Sequence, residues 1–138
     1  MINVSNIKQE KLIRLVAGAV AVKKGQLMCT PSTGVIAATA AQATNTLIGV
    51  SLEACDAAAI CTMAPLSGTD LEIDTYQGGT LKEFADADLG KLFDIVVTSG
   101  DMTIDPNDTT GGFLCLVGYN NVSKVAYVRP INSGIYLS

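Results

Sequence analysis

Short apolar runs, rich in Val, Ile, Thr and Ala and roughly four to eight residues long, are cut by Gly-centred polar clusters along most of the chain. The cuts read "KKG", "PSTG", "SG", "QGG", "TSGD" and "TTGG". This spacing predicts strands over 17–22, 26–30, 35–38, 46–52, 58–64, 71–76, 91–98, 102–105, 113–119 and 125–129. "TLKEFADADLG", residues 80–90, has helix formers closing on Gly90 and is the one predicted helical insert. The expectation is an all-β body, a compact barrel or sandwich, with at most one short helix.

The first sixteen residues follow another pattern. "MINVSNIKQEKLIRLV" lacks glycine, with Ile2, Val4 and Ile7 in loose alternation and then Leu12, Ile13, Leu15 and Val16. It reads as an extended arm or a short helix, so the chain divides into an N-terminal docking arm, 1–16, and a β-domain, 17–138.

Two stretches of the body echo one another. "GQLMCTPSTGVIAAT" starts at Gly25 and "GKLFDIVVTSGDMTID" at Gly90. Each leads to an apolar run with a glycine, "LIGV" at Gly49 and "LVGY" at Gly118, and to a later strand ending in Pro65 or Pro130. The pattern predicts one β-meander used twice, with chance likeness between Gly-rich β segments as the alternative. Gly25 and Gly90 would allow turns with positive φ, Gly49 and Gly118 a bulge, and the prolines would stop the ladders.

Composition narrows the chemistry. With 138 residues and 49% hydrophobic positions the chain can bury a core, built mainly from small side chains because aromatics are 5% and Trp is absent. There is no histidine, which removes the Ser-His-Asp and Cys-His nucleophile systems and most catalytic zinc sites. Cys29, Cys55, Cys61 and Cys115 show no C-x-x-C spacing and sit among apolar or small neighbours, which predicts four reduced thiols and maturation in a reducing cytoplasm. No apolar run approaches the ~18 residues of a membrane span. No cofactor, metal or nucleic-acid motif is present.

Net charge is −4, unevenly spread. Residues 1–24 carry Lys8, Lys11, Arg14, Lys23 and Lys24 against Glu10, so a basic end precedes an acidic body. A basic end of this kind suits an acidic partner, and a merely solvated start is the plainer alternative. In "TDLEIDTY", Asp70, Glu72 and Asp74 fall on one strand face opposite Leu71 and Ile73, which is most simply the wet face of a half-buried strand. Asp101, Asp105 and Asp108 in "SGDMTIDPNDTTGG" lack the spacing of a calcium loop and read as a turn.

Taken together, "IRLVAGAVAVKKGQLMC", "GVIAAT…TLIGVSLEA" and "ADLGKLFDIVV…GDMTIDP…GFLCLVGYNNVSKVAYVRP" resemble the small decoration, or cement, proteins of tailed-bacteriophage capsids over about residues 12–130. The resemblance implies a non-enzymatic virion protein on the outer capsid surface, assembled in the host cytoplasm, often trimeric, with the major capsid protein as partner. On that reading Ile2, Val4 and Ile7 of the arm would fill capsid pockets by strand addition, while Lys8, Lys11 and Arg14 would meet acidic patches. The alternative is a carbohydrate-binding β-module using Tyr76 or Tyr119 with the Asp70, Glu72, Asp74 ladder. A hydrolase working with carboxylates alone would need two close acids in a cleft.

Overall fold

The computed structural model describes residues 2–4, 12–18, 20–30, 36–37, 46–65, 70–78, 82–109 and 112–131. Twelve strands follow in chain order: β1 (Ile2–Val4), β2 (Ile13–Val16), β3 (Leu27–Thr30), β4 (Ile36–Ala37), β5 (Thr46–Ser51), β6 (Ile60–Pro65), β7 (Leu71–Asp74), β8 (Leu92–Phe93), β9 (Ile95–Thr98), β10 (Asp101–Ile104), β11 (Leu114–Asn120) and β12 (Val125–Pro130). They form one sheet in the order β2-β6-β5-β3-β4, a second in the order β1-β7-β12-β11-β8, and a β9-β10 ribbon. The strand pairings within them are antiparallel. The architecture is all-β and sandwich-like, and no strand order closes into a barrel among the described residues.

The echo in the sequence is a duplication of register. Gly25 and Gly90 lie 65 positions apart, and the same shift carries β6 onto β12. It also carries the pairs Gly49↔Pro65, Val50↔Ala64 and Ser51↔Met63 onto Leu114↔Pro130, Cys115↔Arg129 and Leu116↔Val128. Leu27↔Val50 and Met28↔Gly49 likewise become Leu92↔Cys115 and Phe93↔Leu114. Gly25, at φ 78°, donates its N–H to the Ser51 carbonyl at 2.9 Å; Gly90, at φ 86°, donates to Leu116 at 2.8 Å. Only a residue without Cβ takes that backbone readily, so the two glycines set the two registers. The expected match of Gly49 with Gly118 does not hold: Gly49 corresponds to Leu114, and Gly118 lies beside the bulge on β11.

Alternation explains the packing. On one face of the second sheet Leu71, Ile73, Phe93, Leu114, Leu116 and Val128 are buried, and Leu27, Cys29 and Val50 of the first sheet join the same cluster. The first sheet has a smaller cluster of its own, built from Ala17, Val22, Met28, Cys61 and Met63. Both sheets therefore share one large core through the middle of the molecule.

Several boundaries differ from the sequence reading, each for a physical reason. The expected strand 17–22 lies earlier, because Ile13–Val16 pairs with β6, while Ala17 and Val22 make only isolated bridges, that of Val22 to Cys55. The expected strand 91–98 breaks at Asp94, whose N–H donates to the Asp108 carbonyl at 3.1 Å while its carboxylate accepts from Ile95 N–H at 2.8 Å. The helical insert reduces, among the described residues, to a 3-10 turn at Asp86–Asp88. It sits in a connection seven residues longer than that from β2 to Gly25, and Phe84 from this segment packs edge-on against Phe93 at 5.2 Å.

Residues 2–4 and 13–16 are strands of the two sheets, so over these residues the expected arm is part of the body. The thiol expectation is also corrected. Cys55 and Cys61 form a disulfide across the β5–β6 connection, with Cα atoms 5.8 Å apart, while Cys29 and Cys115 remain thiols. The spacing of six gave no motif, and only the hairpin brings the two together. Alkylation of the denatured, unreduced protein should therefore label two cysteines by intact mass, and four after reduction. Replacing Cys55 with Ser and Cys61 with Ala should lower unfolding stability by about 2 kcal/mol in urea titrations, the entropy of so short a loop.

Candidate docking surface

Of the six residues expected to dock, Ile2, Val4 and Arg14 are described, and they lie on two strands of the body. Ile2 is 3% exposed, opposite Ile73 within the large core, because β1 adds to the edge of β7 in the register Ile2↔Ile73, Asn3↔Glu72, Val4↔Leu71. Ile2 N–H also donates to the Gly25 carbonyl at 3.0 Å, tying the start of the chain to both sheets. Its side chain is therefore unavailable to a partner. Val4 lies on the same strand, Ile7, Lys8 and Lys11 lie outside the described residues, and Arg14 is exposed on β2. The alternation that suggested pockets on another protein is, for Ile2, alternation into the chain's own core.

What remains exposed near the N-terminus is the outer face of β2. Ala17 N–H donates to the Ala59 carbonyl at 2.8 Å, and the register continues through Leu15↔Cys61 and Ile13↔Met63. Hydrogen-bonding pairs alternate along an antiparallel ladder, so the N–H and C=O groups of Arg14 and Val16 point away from β6. No described strand lies on that side. Arg14 and Val16 share a sheet face with Thr62 and Ile60, and Val16 and Ile60 are cross-strand partners that are 52% and 64% exposed.

The second half carries the acids. Between residues 82 and 109 stand Glu83, Asp86, Asp88, Asp94, Asp101, Asp105 and Asp108 against Lys82 and Lys91. Several of these have structural work. Asp88 accepts from Ala85 N–H at 3.0 Å across the 3-10 turn, and that bond, with help from Lys82 and Lys91, holds its carboxyl below the usual range against the effect of burial. Asp105 accepts from Asn107 N–H at 2.9 Å, which makes the "DPND" segment a turn as expected. Among the described residues no group of His, Cys, Asp and Glu is arranged to hold a metal ion.

The carboxylate ladder stands on the wet side of β7, since Leu71 and Ile73 are buried. Its members serve different neighbours. Asp70 pairs with Arg129 on β12 and keeps that guanidinium more firmly protonated, while Asp74 borders a shallow groove of about 470 Å³ with Tyr76, Gln77, Thr98, Asp101 and Lys124. Tyr119 is committed elsewhere: its hydroxyl donates to Asp86 at 2.7 Å, which raises its pKa, and its ring lies beside Phe84. Nothing local in the sequence marks the Arg129 pair, because its partners are fifty-nine residues apart.

With this geometry in place, comparison adds no relative: no family model matches the chain, and no characterised protein or solved structure matches it.

Among the described residues, Asp94 is a buried acid whose shift includes no contribution from a cation. Desolvation raises its pKa, with Asp108 adding to the rise and the Ile95 N–H opposing it. An acid whose folded pKa is raised is favoured when protonated, so its ionisation penalises the fold above that pKa. Asp94→Asn should therefore raise the thermal midpoint at pH 7, and the gain should vanish near pH 3, where Asp94 is neutral folded and unfolded. An unchanged midpoint at pH 7 would show that the ionised group is well accommodated.

Proposed function

We propose that this protein is a non-enzymatic structural component of a tailed-phage virion that binds the outer surface of the capsid shell and stabilises it, with the major capsid protein as partner and a trimer as its oligomer. One observation carries the reading. A β-unit duplicated in register builds a small body whose exposed features are sheet edges and faces, basic at Arg14 and acidic over 82–109. Among the described residues, Asp88, Asp94, Tyr119 and Arg129 have shifted pKa values, and each is accounted for by a local turn, burial or pairing. Such a body is suited to being added to a surface.

The mechanism is additive. A ligand that binds the assembled shell and not its separated subunits shifts the equilibrium toward assembly by mass action. The Cys55–Cys61 bond fits a protein that folds in the host and then persists in an oxidising medium outside it. Shells assembled from a cognate phage capsid protein should cosediment with it to saturation. Decorated shells should then melt at higher temperature than bare ones in scanning calorimetry. Failure to cosediment at micromolar concentration would end this reading.

A second reading, a carbohydrate-binding module exposed on a virion or cell, is favoured by the Tyr76 groove, where hydroxyl and carboxylate groups surround one aromatic ring. Binding on a glycan array that Tyr76→Ala abolishes, with folding retained, would select it; a blank array would remove it.

A further inference from the structure

Each half ties the connection after its first strand, β2 or β7, to its hairpin connection, β5–β6 or β11–β12, and the two ties differ in chemistry. In the second half the Asn121 side chain grips the Phe84 backbone from both sides: Oδ1 accepts from Phe84 N–H at 3.2 Å and Nδ2 donates to the Phe84 carbonyl at 2.9 Å. In the first half a reciprocal pair is made by backbone alone. Val22 N–H donates to the Cys55 carbonyl at 2.8 Å, Cys55 N–H donates to the Val22 carbonyl at 2.9 Å, and Ala58 N–H donates to the Gly18 carbonyl at 3.0 Å. The loop that offers these groups, residues 55–61, is the one the disulfide closes. It holds Ala58 at φ 61°, a left-handed backbone unfavourable for a residue with Cβ, so the loop has a shape that needs support.

The grip extends beyond Val22. Lys23 Nζ donates to the Ser99 carbonyl at 2.6 Å, Gln26 Nε2 donates to the Gly100 carbonyl at 2.6 Å, and Lys23 N–H donates to Gln26 Oε1 at 2.9 Å. Ser99 and Gly100 are the turn between β9 and β10. Hydrogen bonds thus link the disulfide loop, the connection at 18–25 and the tip of the ribbon in series. We propose that the Cys55–Cys61 disulfide is a redox-operated clasp: oxidised, it fixes the connection at 18–25 and, through Lys23 and Gln26, the ribbon tip; reduced, it releases both while the large core stays folded. The inference goes beyond the capsid reading and does not depend on it.

The two sulfurs differ in access. Cys55 is half-buried and lines a groove of about 500 Å³ with Lys23, Glu53 and Asp56, whereas Cys61 is fully buried among Ala17, Val22, Met28 and Met63. The co-reactant is a dithiol, and a neutral one suits a groove that two carboxylates line. Its thiolate attacks Cys55 Sγ, the S–S bond breaks, and the electron pair leaves on Cys61 Sγ, which takes up a proton. The reductant's second thiolate then displaces Cys55 Sγ, which is protonated in turn, and the reductant departs as its own disulfide. Apolar surroundings disfavour the departing Cys61 thiolate, so the closed clasp opens slowly. The Asn121 tie contains no sulfur and is blind to reductant, which makes the second half an internal control.

The test compares the full chain, oxidised and after dithiothreitol, by hydrogen exchange, with the thiol count fixed by alkylation and intact mass. On reduction the Val22, Cys55 and Ala58 amides should exchange at least about tenfold faster relative to Phe84, with β circular dichroism and cooperative melting retained. Thr98 and Asp101, paired across the ribbon turn, should lose protection with them. Trypsin should cut after Lys23 or Lys24 sooner in the reduced protein, measured against cleavage after Lys82 in the corresponding connection. Where buried Cys61 resists the reagent, Cys55→Ser with Cys61→Ala stands for the open state and should give the same pattern. Lys23→Met in the oxidised chain should free Thr98 and Asp101 while Val22 stays protected. Equal acceleration at Val22 and Phe84 would show that the disulfide acts on the unfolded chain alone and would overturn the proposal, as would a ribbon tip that keeps its protection in the reduced protein.

Discussion

The amide of a glycine in the left-handed region, donated to a carbonyl on the strand that pairs with the one following the glycine, recurs at Gly25 and Gly90 and fixes how each half of the chain pairs with itself. Side chains alternate with period two, so a slip of one residue would turn Phe93, Leu114 and Leu116 out of the core and bring Leu92 and Cys115 in. The turn costs a Cβ-bearing residue roughly 1–2 kcal/mol, which is small beside the burial that depends on it. Both cores follow from this constraint, as does the common order of β2-β6-β5-β3 and β7-β12-β11-β8.

The halves depart from one another where something has been added. The longer connection after β7 contributes Phe84, which fills space against Phe93, a ring where the first half has the slimmer Met28. The first half closes its β5–β6 connection with a disulfide, while the second turns from β11 to β12 through Asn120, whose side chain accepts from Val122 and Ser123 N–H at 3.0 and 3.1 Å. A covalent staple and a hydrogen-bonded turn thus do the same job on corresponding hairpins.

Much of this was legible in the sequence because it is local. Glycine turns, apolar runs and the wet face of Asp70, Glu72 and Asp74 are read over a few residues, and the all-β architecture follows from them. What was missed depends on distant partners. The Cys55–Cys61 bond needs the hairpin, the break at Asp94 needs Asp108, and the burial of Ile2 needs Ile73 and Gly25. Composition at the N-terminus misled for a related reason: absence of glycine marks absence of turns, and a segment without turns can be a strand in the body as easily as an arm outside it.

The N-terminal strand shows what the shared core asks of the chain. A free segment that becomes ordered loses backbone entropy of about 1–2 kcal/mol for each residue fixed, which new contacts must first overcome. For β1 those contacts are internal: the ladder with β7, the bond from Ile2 N–H to the Gly25 carbonyl, and the burial of Ile2 opposite Ile73. β1 thus fastens residues 2–4 to the sheet that shares the large core, and alternation that suggested docking on another protein serves, at Ile2, the rigidity of the body itself.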